Sequence, residues 1–147
     1  MLRRSQYLPC LLTLFLVGCS GGVKPEVVPP LEPVSGTVNL DGKPTEGISV
    51  TFFPLDKGNP AYGTTDASGK YTLNYRTGSP GIPAGNYVAL FSKLTLPDGS
   101  PLPANQTAAD AGAIDQIPEQ YRSTSDPTNA VTVPQGGKTF DFELRSK

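Results

Sequence analysis

The sequence predicts an all-β chain folded as a single antiparallel β-sandwich of Ig-like type with about seven short strands. Three observations predict it. Apolar and polar residues alternate in several short runs, the pattern of strands with one covered face. Sixteen Gly and 16 Pro in 147 residues punctuate those runs as turns and leave no helical period of useful length. A hydrophobic content of 37% with 17% charged residues belongs to a chain that folds.

The domain is expected to begin at Val34 and run to Lys147. Its organising stretch is Ser35 to Pro54. Val38 and Leu40 alternate with Thr37 and Asn39, and Ile48, Val50 and Phe52 alternate with Ser49 and Thr51. Asp41-Gly42 supplies the positive φ that a tight connection needs, so the stretch is expected as two strands joined by a turn. Leu55 to Pro60 is a polar loop. Ala61 to Thr65 is a short third strand, weakened by Gly63. Asp66 to Lys70 is a hairpin turn with Gly69 at the positive-φ place. Tyr71, Leu73 and Tyr75 then alternate with Thr72, Asn74 and Arg76 as a half-buried strand.

Gly78 to Gly85 is a Pro/Gly loop, and the strand after it, Tyr87 to Lys93, is apolar on both parities. Such a strand is expected either at the centre of a sheet with both sides covered, or with one aromatic face shielded by a loop. Leu94 to Gln116 is the least regular part, with one helical turn expected around Ala108 to Ala111. A stretch this long is either functional or disordered. Tyr121, within Ile117 to Arg122, is expected to pack back on the sandwich. Ala130 to Val133 and Thr139 to Leu144 are expected to form a last hairpin across Pro134 to Gly137. Phe140, Phe142 and Leu144 mark its covered face, and Asp141, Glu143 and Arg145 the wet one.

Upstream, Arg3 and Arg4 precede an 11-residue apolar run, Tyr7 to Val17, broken only by Pro9 and Thr13. Spanning a bilayer takes about 20 apolar residues, whereas a signal-peptide core takes about 7–15. Residues 1–18 are therefore expected to be a signal peptide. Ser20 to Pro33 combines Gly21-Gly22 with Pro25, Pro29, Pro30 and Pro33, the composition of a tether. In extended polyproline II form it reaches roughly 40 Å at about 3.1 Å per residue.

Composition also excludes. A net charge of −1 offers no electrostatic case for nucleic acid or an anionic membrane surface. The chain has no histidine, the usual neutral-pH base and metal ligand. Its 2 cysteines, Cys10 and Cys19, both lie near the start, so no disulfide framework or Cys/His metal site is expected. Asp41, Asp66 and Asp98 sit beside or near turn glycines without the spacing of a calcium loop, which is turn chemistry. The serines and threonines have no recognisable base and no Gly-x-Ser-x-Gly elbow. Asn105-Gln-Thr107 matches a glycosylation sequon. Tyr62, Tyr71, Tyr75 and Tyr87 are read as core or cross-strand residues, with a sugar- or peptide-binding face as the alternative. No cofactor, no metal and no catalytic residue is assigned.

The run Leu16-Val17-Gly18-Cys19 resembles the lipobox of bacterial lipoproteins. That resemblance implies a diacylglycerol on the Cys19 sulfur, cleavage between Gly18 and Cys19, and a lipidated tether over residues 19–33. The competing reading is an ordinary secretory signal with a cysteine near its end by chance. Ser20 stands where an aspartate retains enterobacterial lipoproteins in the inner membrane, so the resemblance implies the outer one.

Four stretches carry a second resemblance: Gly36 to Pro44, Gly47 to Pro54, Thr65 to Leu73, and Pro83 to Tyr87. With their order of Gly-Thr-Val, Asp-Gly-Lys-Pro, Val-Thr-Phe and Pro-Ala-Gly-Asn-Tyr, the chain is similar to the carboxypeptidase-regulatory-like domain, a transthyretin-like sandwich. Ile117 to Tyr121 and Phe140 to Leu144 resemble the tails of small bacterial lipoproteins that carry it. The resemblance implies fold and envelope location rather than an activity. Hydroxyisourate hydrolase, within the wider transthyretin-like group, relies on histidines and a Tyr-Arg-Gly-Ser end. Here Tyr121-Arg122-Ser123 is internal and lacks the glycine. The expected function is non-enzymatic: an envelope lipoprotein, membrane-bound through Cys19, acting as a structural or protein-interaction module. The alternative is a carbohydrate- or peptide-binding accessory domain, with an envelope protein or glycan as partner.

Overall fold

The computed structural model describes residues 28–76, 78–125 and 127–146, and the expected all-β sandwich is what they form. In chain order the strands are β1 (Val34–Leu40), β2 (Lys43–Pro44), β3 (Ser49–Pro54), β4 (Ala61–Thr64), β5 (Lys70–Thr72) and β6 (Asn74–Tyr75). They continue with β7 (Gly85–Ser92), β8 (Leu94–Thr95), β9 (Ile114–Asp115), β10 (Ala130–Val133), β11 (Lys138–Thr139) and β12 (Phe142–Leu144). One sheet runs β10-β7-β3-β4-β6, all antiparallel. The other is built around β1, which takes β5 and β2 antiparallel along one edge and β11 and β12 in parallel along the other.

All seven expected strands are present, but four expectations about their neighbours are corrected. Asp66 to Lys70 turns as expected, with Gly69 N donating to Asp66 O (2.9 Å), yet it makes no hairpin, because β4 and β5 belong to different sheets. Asp41-Gly42 does make a tight turn, with φ of 53° and 76°. It joins β1 to the two-residue β2, pairing Leu40 with Lys43, and not to β3. Strand β3 lies in the opposite sheet. The last two strands form no hairpin either: β10 pairs with β7, while β11 and β12 pair with β1. Finally, the run from Tyr71 to Arg76 divides. It starts in the first sheet as β5 and ends in the second as β6, with Leu73 donating its N–H to Val34 O (3.0 Å) at the corner. In each case alternation marks the inward face correctly. It carries no information about which sheet supplies that face.

The inward faces meet in an aromatic cluster. Phe52 of β3 packs edge-on against Phe140 (5.7 Å between ring centres) and Phe142 (6.2 Å), and tilted against Tyr87 (6.1 Å). Phe91 of β7 meets Phe142 at 4.8 Å. Offset and edge-to-face contacts of this kind add to the burial energy of the rings themselves. Val34, Val38, Ile48, Val50, Leu73 and Ile117 complete the core around them.

Strand β7 is covered on both sides, as its unbroken apolar run predicts. Tyr87, Ala89 and Phe91 are buried, and so is Val88 of the other parity. Both short 3-10 helices, Glu119–Tyr121 and Pro127–Asn129, contact this strand. Tyr121 packs against the core as expected.

Gly36 is required by close approach rather than by conformation. A Cβ there would run into the carbonyl oxygen of Phe140 on the neighbouring chain segment. That same oxygen accepts a hydrogen bond from the Tyr71 hydroxyl (2.8 Å).

Candidate functional site

Leu16, Val17, Gly18 and Cys19 lie outside the described residues. The structure does describe how the chain that follows them joins the sandwich. Leu31 packs against the core. Glu32 exchanges two backbone hydrogen bonds with Ile82 (2.7 and 2.9 Å), and its carboxylate accepts the N–H of Gly136 (2.8 Å). Pro33 O accepts from Lys138 N (3.1 Å). Firm bonding among the described residues therefore begins at Glu32, two residues before β1. A pocket of about 250 Å³ beside this junction is lined by Pro29, Pro54, Lys57, Pro83 and Tyr87.

The far end carries the Asp41-Gly42 turn, the Glu46-Gly47 connection and the turn from Asp66 to Lys70. There Thr65, a buried hydroxyl, accepts from Ile48 N (2.8 Å) and donates to Thr45 O (2.7 Å), tying two connections together. The excursion after β7 also leaves from this end. Its base is closed by β8 pairing with β9 and by Asp115, whose carboxylate accepts from Ser92 Oγ (2.7 Å), Lys93 N (2.9 Å) and Ile117 N (2.9 Å). Arg122 Nε stands 3.9 Å from the same carboxylate. Within the excursion, Ala111 N donates to Thr107 O (3.0 Å), the single turn expected there. Asn105 of the sequon is exposed.

The bonds of Asp115 and Glu32 leave little mark in the sequence. Each acts through bonds to chain segments that only folding brings near. The only legible signal was Asp115's position at the close of the irregular stretch.

A second pocket, about 380 Å³, opens between this excursion and the Glu46-Gly47 connection, lined by Lys93, Leu94, Thr95, Pro101 and Leu102. Thr95 is only 4% exposed, and its hydroxyl has no hydrogen-bond partner among the described residues.

The tyrosines separate into two groups. Tyr71, Tyr75 and Tyr87 are buried. Tyr87 donates to Pro83 O (2.8 Å), and Tyr75 Oη accepts from Asn59 Nδ2 (3.3 Å). Burial pushes the Tyr71 phenol well above its ordinary value, with the negative charge of Asp141 adding to the effect. Tyr87 is raised first by burial and then by Tyr75. These three rings pack into the sandwich, and of the four tyrosines Tyr62 alone is exposed, at 52%. It borders an open groove of about 820 Å³ together with Thr64, Lys70 and Asn74.

Asp66 and Asp98 are committed to their own turns, while Asp41 ties the turn after β1 to Ser146 near the end of the chain. Asp66 accepts from Ser68 Oγ (2.7 Å), Ser68 N (2.8 Å) and Lys70 N (3.0 Å), and the Ser68 hydroxyl leads in holding its carboxyl below the usual range. Asp98 is lowered in the same way by Ser100, and Asp41 by Ser146. Among the described residues no three His, Cys, Asp or Glu side chains converge as metal ligands would. No described helix is long and apolar enough to cross a membrane.

Neither a family model, nor a curated protein, nor a solved structure matches this chain.

Proposed function

We propose that this chain is a bacterial envelope lipoprotein, anchored through a lipid on Cys19, whose β-sandwich is a non-enzymatic structural or protein-interaction module. The observation that carries the reading is the Leu16-Val17-Gly18-Cys19 motif at the close of an 11-residue apolar run. Support comes from the way polar groups are used. Asp66 and Asp98 accept hydrogen bonds that shape their turns, Asp115 closes a loop and Asp41 ties a turn to Ser146, which is structural work. Further support is the junction at Glu32, which delivers the chain from Cys19 to one end of the sandwich and leaves the excursion after β7 at the other. Two or three acyl chains make such an anchor effectively permanent, since each buried methylene adds about 0.8 kcal/mol.

The test is metabolic labelling with a clickable fatty acid. The native chain is expected to label and to fractionate with membranes. The Cys19→Ser variant is expected to do neither, and labelling that persists in it sinks the proposal. The second reading, a carbohydrate- or peptide-binding domain, is favoured by one observation: Tyr62 standing exposed over the groove between β4 and β5. Glycan and peptide arrays separate the two, because binding that is lost in Tyr62→Ala selects the second.

A further inference from the structure

The exposed large apolar residues fall at both ends of the sandwich, with Leu94 (43% exposed) and Ile114 (50%) in the excursion after β7. Val28 (46% exposed), Phe53 (44%) and Leu55 (55%) gather at the end where the chain from Cys19 arrives. Pro29 lines the junction pocket with Pro54, so Val28 lies next to the end of β3. Phe53 and Leu55 flank Pro54 on the side of β3 that faces away from the core, and Leu55 N donates to Asn86 O (3.0 Å) to hold the segment in place. Side by side, Asp56 and Lys57 give the rim both signs of charge.

We infer that this end of the sandwich docks on the lipid surface that holds Cys19, with Val28, Phe53 and Leu55 entering the boundary between headgroups and acyl chains. The inference rests on the lipid-anchor reading above and adds an orientation to it. Chain length selects the lipid as occupant. Nine steps of chain lead from Cys19 to Val28 and span at most about 32 Å when fully extended, so the patch stays within that reach of the bilayer. A tether of that reach makes contact intramolecular, and a weak apolar insertion suffices. An apolar face lying in the interface plane is how proteins that do not span a membrane rest on it. The far end, with the loop closed by Asp115, then stands a strand length away, roughly 26 Å for eight residues at about 3.3 Å each. With both charge signs at the rim, docking is apolar and needs no anionic lipid.

The chain contains no tryptophan, so one introduced residue reports alone. Full-length Leu55→Trp and Leu94→Trp, processed and lipidated, are reconstituted in phosphatidylcholine vesicles with and without brominated acyl chains. Both sites are exposed, so both variants are expected to fold. The expected result is a blue-shifted Leu55→Trp emission that brominated lipid quenches and aqueous acrylamide does not. Leu94→Trp is expected to show the opposite, and added phosphatidylglycerol is expected to change neither. Flotation with the vesicles and equal acrylamide quenching at both sites overturns docking while leaving the anchor intact. A blue shift without bromolipid quenching means that protein covers the patch, and overturns it too. A chain that fails to float overturns anchor and docking together.

Discussion

Thr37 and Asp141 lie 104 residues apart, yet one carboxylate oxygen of Asp141 accepts both the backbone N–H (2.8 Å) and the hydroxyl (2.7 Å) of Thr37. The pair fills the gap between β11 and β12, where the ladder to β1 is interrupted. One register further along, Asn39 Nδ2 donates to Glu143 (3.1 Å), whose other oxygen takes Gly42 N (2.7 Å). Side chains thus stitch the parallel seam that joins the start of the domain to its end.

Asp141→Ala is expected to destabilise the domain by about 1–2 kcal/mol, the scale of hydrogen bonds to a charged acceptor near solvent. Urea unfolding reads this as a lower midpoint with an unchanged slope. In a double-mutant cycle with Thr37→Val, the two losses should fall short of additivity, because they remove one interaction. Full additivity disproves the coupling.

Gly36→Ala is expected to cost about 3 kcal/mol or more, since the new methyl meets the Phe140 carbonyl and the backbone has to move. Gly42→Ala is the contrast. Its φ is +76° with nothing within 4 Å of the added carbon, so only the conformational cost remains, about 1–2 kcal/mol. Thermal melts of the two variants side by side check the order, and an equal loss rules out the steric explanation.

Phe52→Ala removes the ring that Phe140, Phe142 and Tyr87 all contact. The expected loss is about 3–5 kcal/mol, against less than about 1.5 kcal/mol for a volume-conserving swap such as Phe52→Met. Chemical denaturation measures both. A Phe52→Ala variant as stable as the native chain means that the cluster is not the core.

Acid should weaken the domain through its turns. The carboxyls of Asp41, Asp66 and Asp98 are held below their ordinary value of 3.8 by serine hydrogen bonds. A group with a depressed folded-state pKa stabilises above its unfolded value and loses that contribution as pH falls through the folded one. Melting temperature is therefore expected to be flat from neutrality to about pH 5 and to fall below pH 4, with a shallower fall in Asp66→Asn.

Alkali should act through Tyr71, whose phenol burial raises above 10.0. The sign is opposite: the contribution is whole below the unfolded value and declines as pH climbs past it. Tyr71→Phe is expected to flatten the loss above pH 10, while costing about 1 kcal/mol at neutral pH for the missing bond to Phe140 O.

Much of this was legible in the chain because it depends on neighbours in sequence. The alternation Phe140-Phe142-Leu144, the turn at Asp41-Gly42 and the two-sided burial of β7 all follow from local pattern and turn chemistry. Glu32, Thr65 and Asp115 were not legible. Their partners are brought to them by the fold, and no periodicity marks a side chain that bonds a distant backbone.

By itself, then, the sequence determined where the seven main extended runs lie, which face of each is dry, and which glycines turn. Tertiary structure alone decided which sheet each strand joins. It sent β3 across the core from β1, parted β10 from β11, and drew β12 in parallel against β1. The reason is geometric. A period of two assigns a side chain to one face of a sheet, and many pairings present the same face. The choice among them is made when the rings of Phe52, Phe91, Phe140 and Phe142 meet in one core.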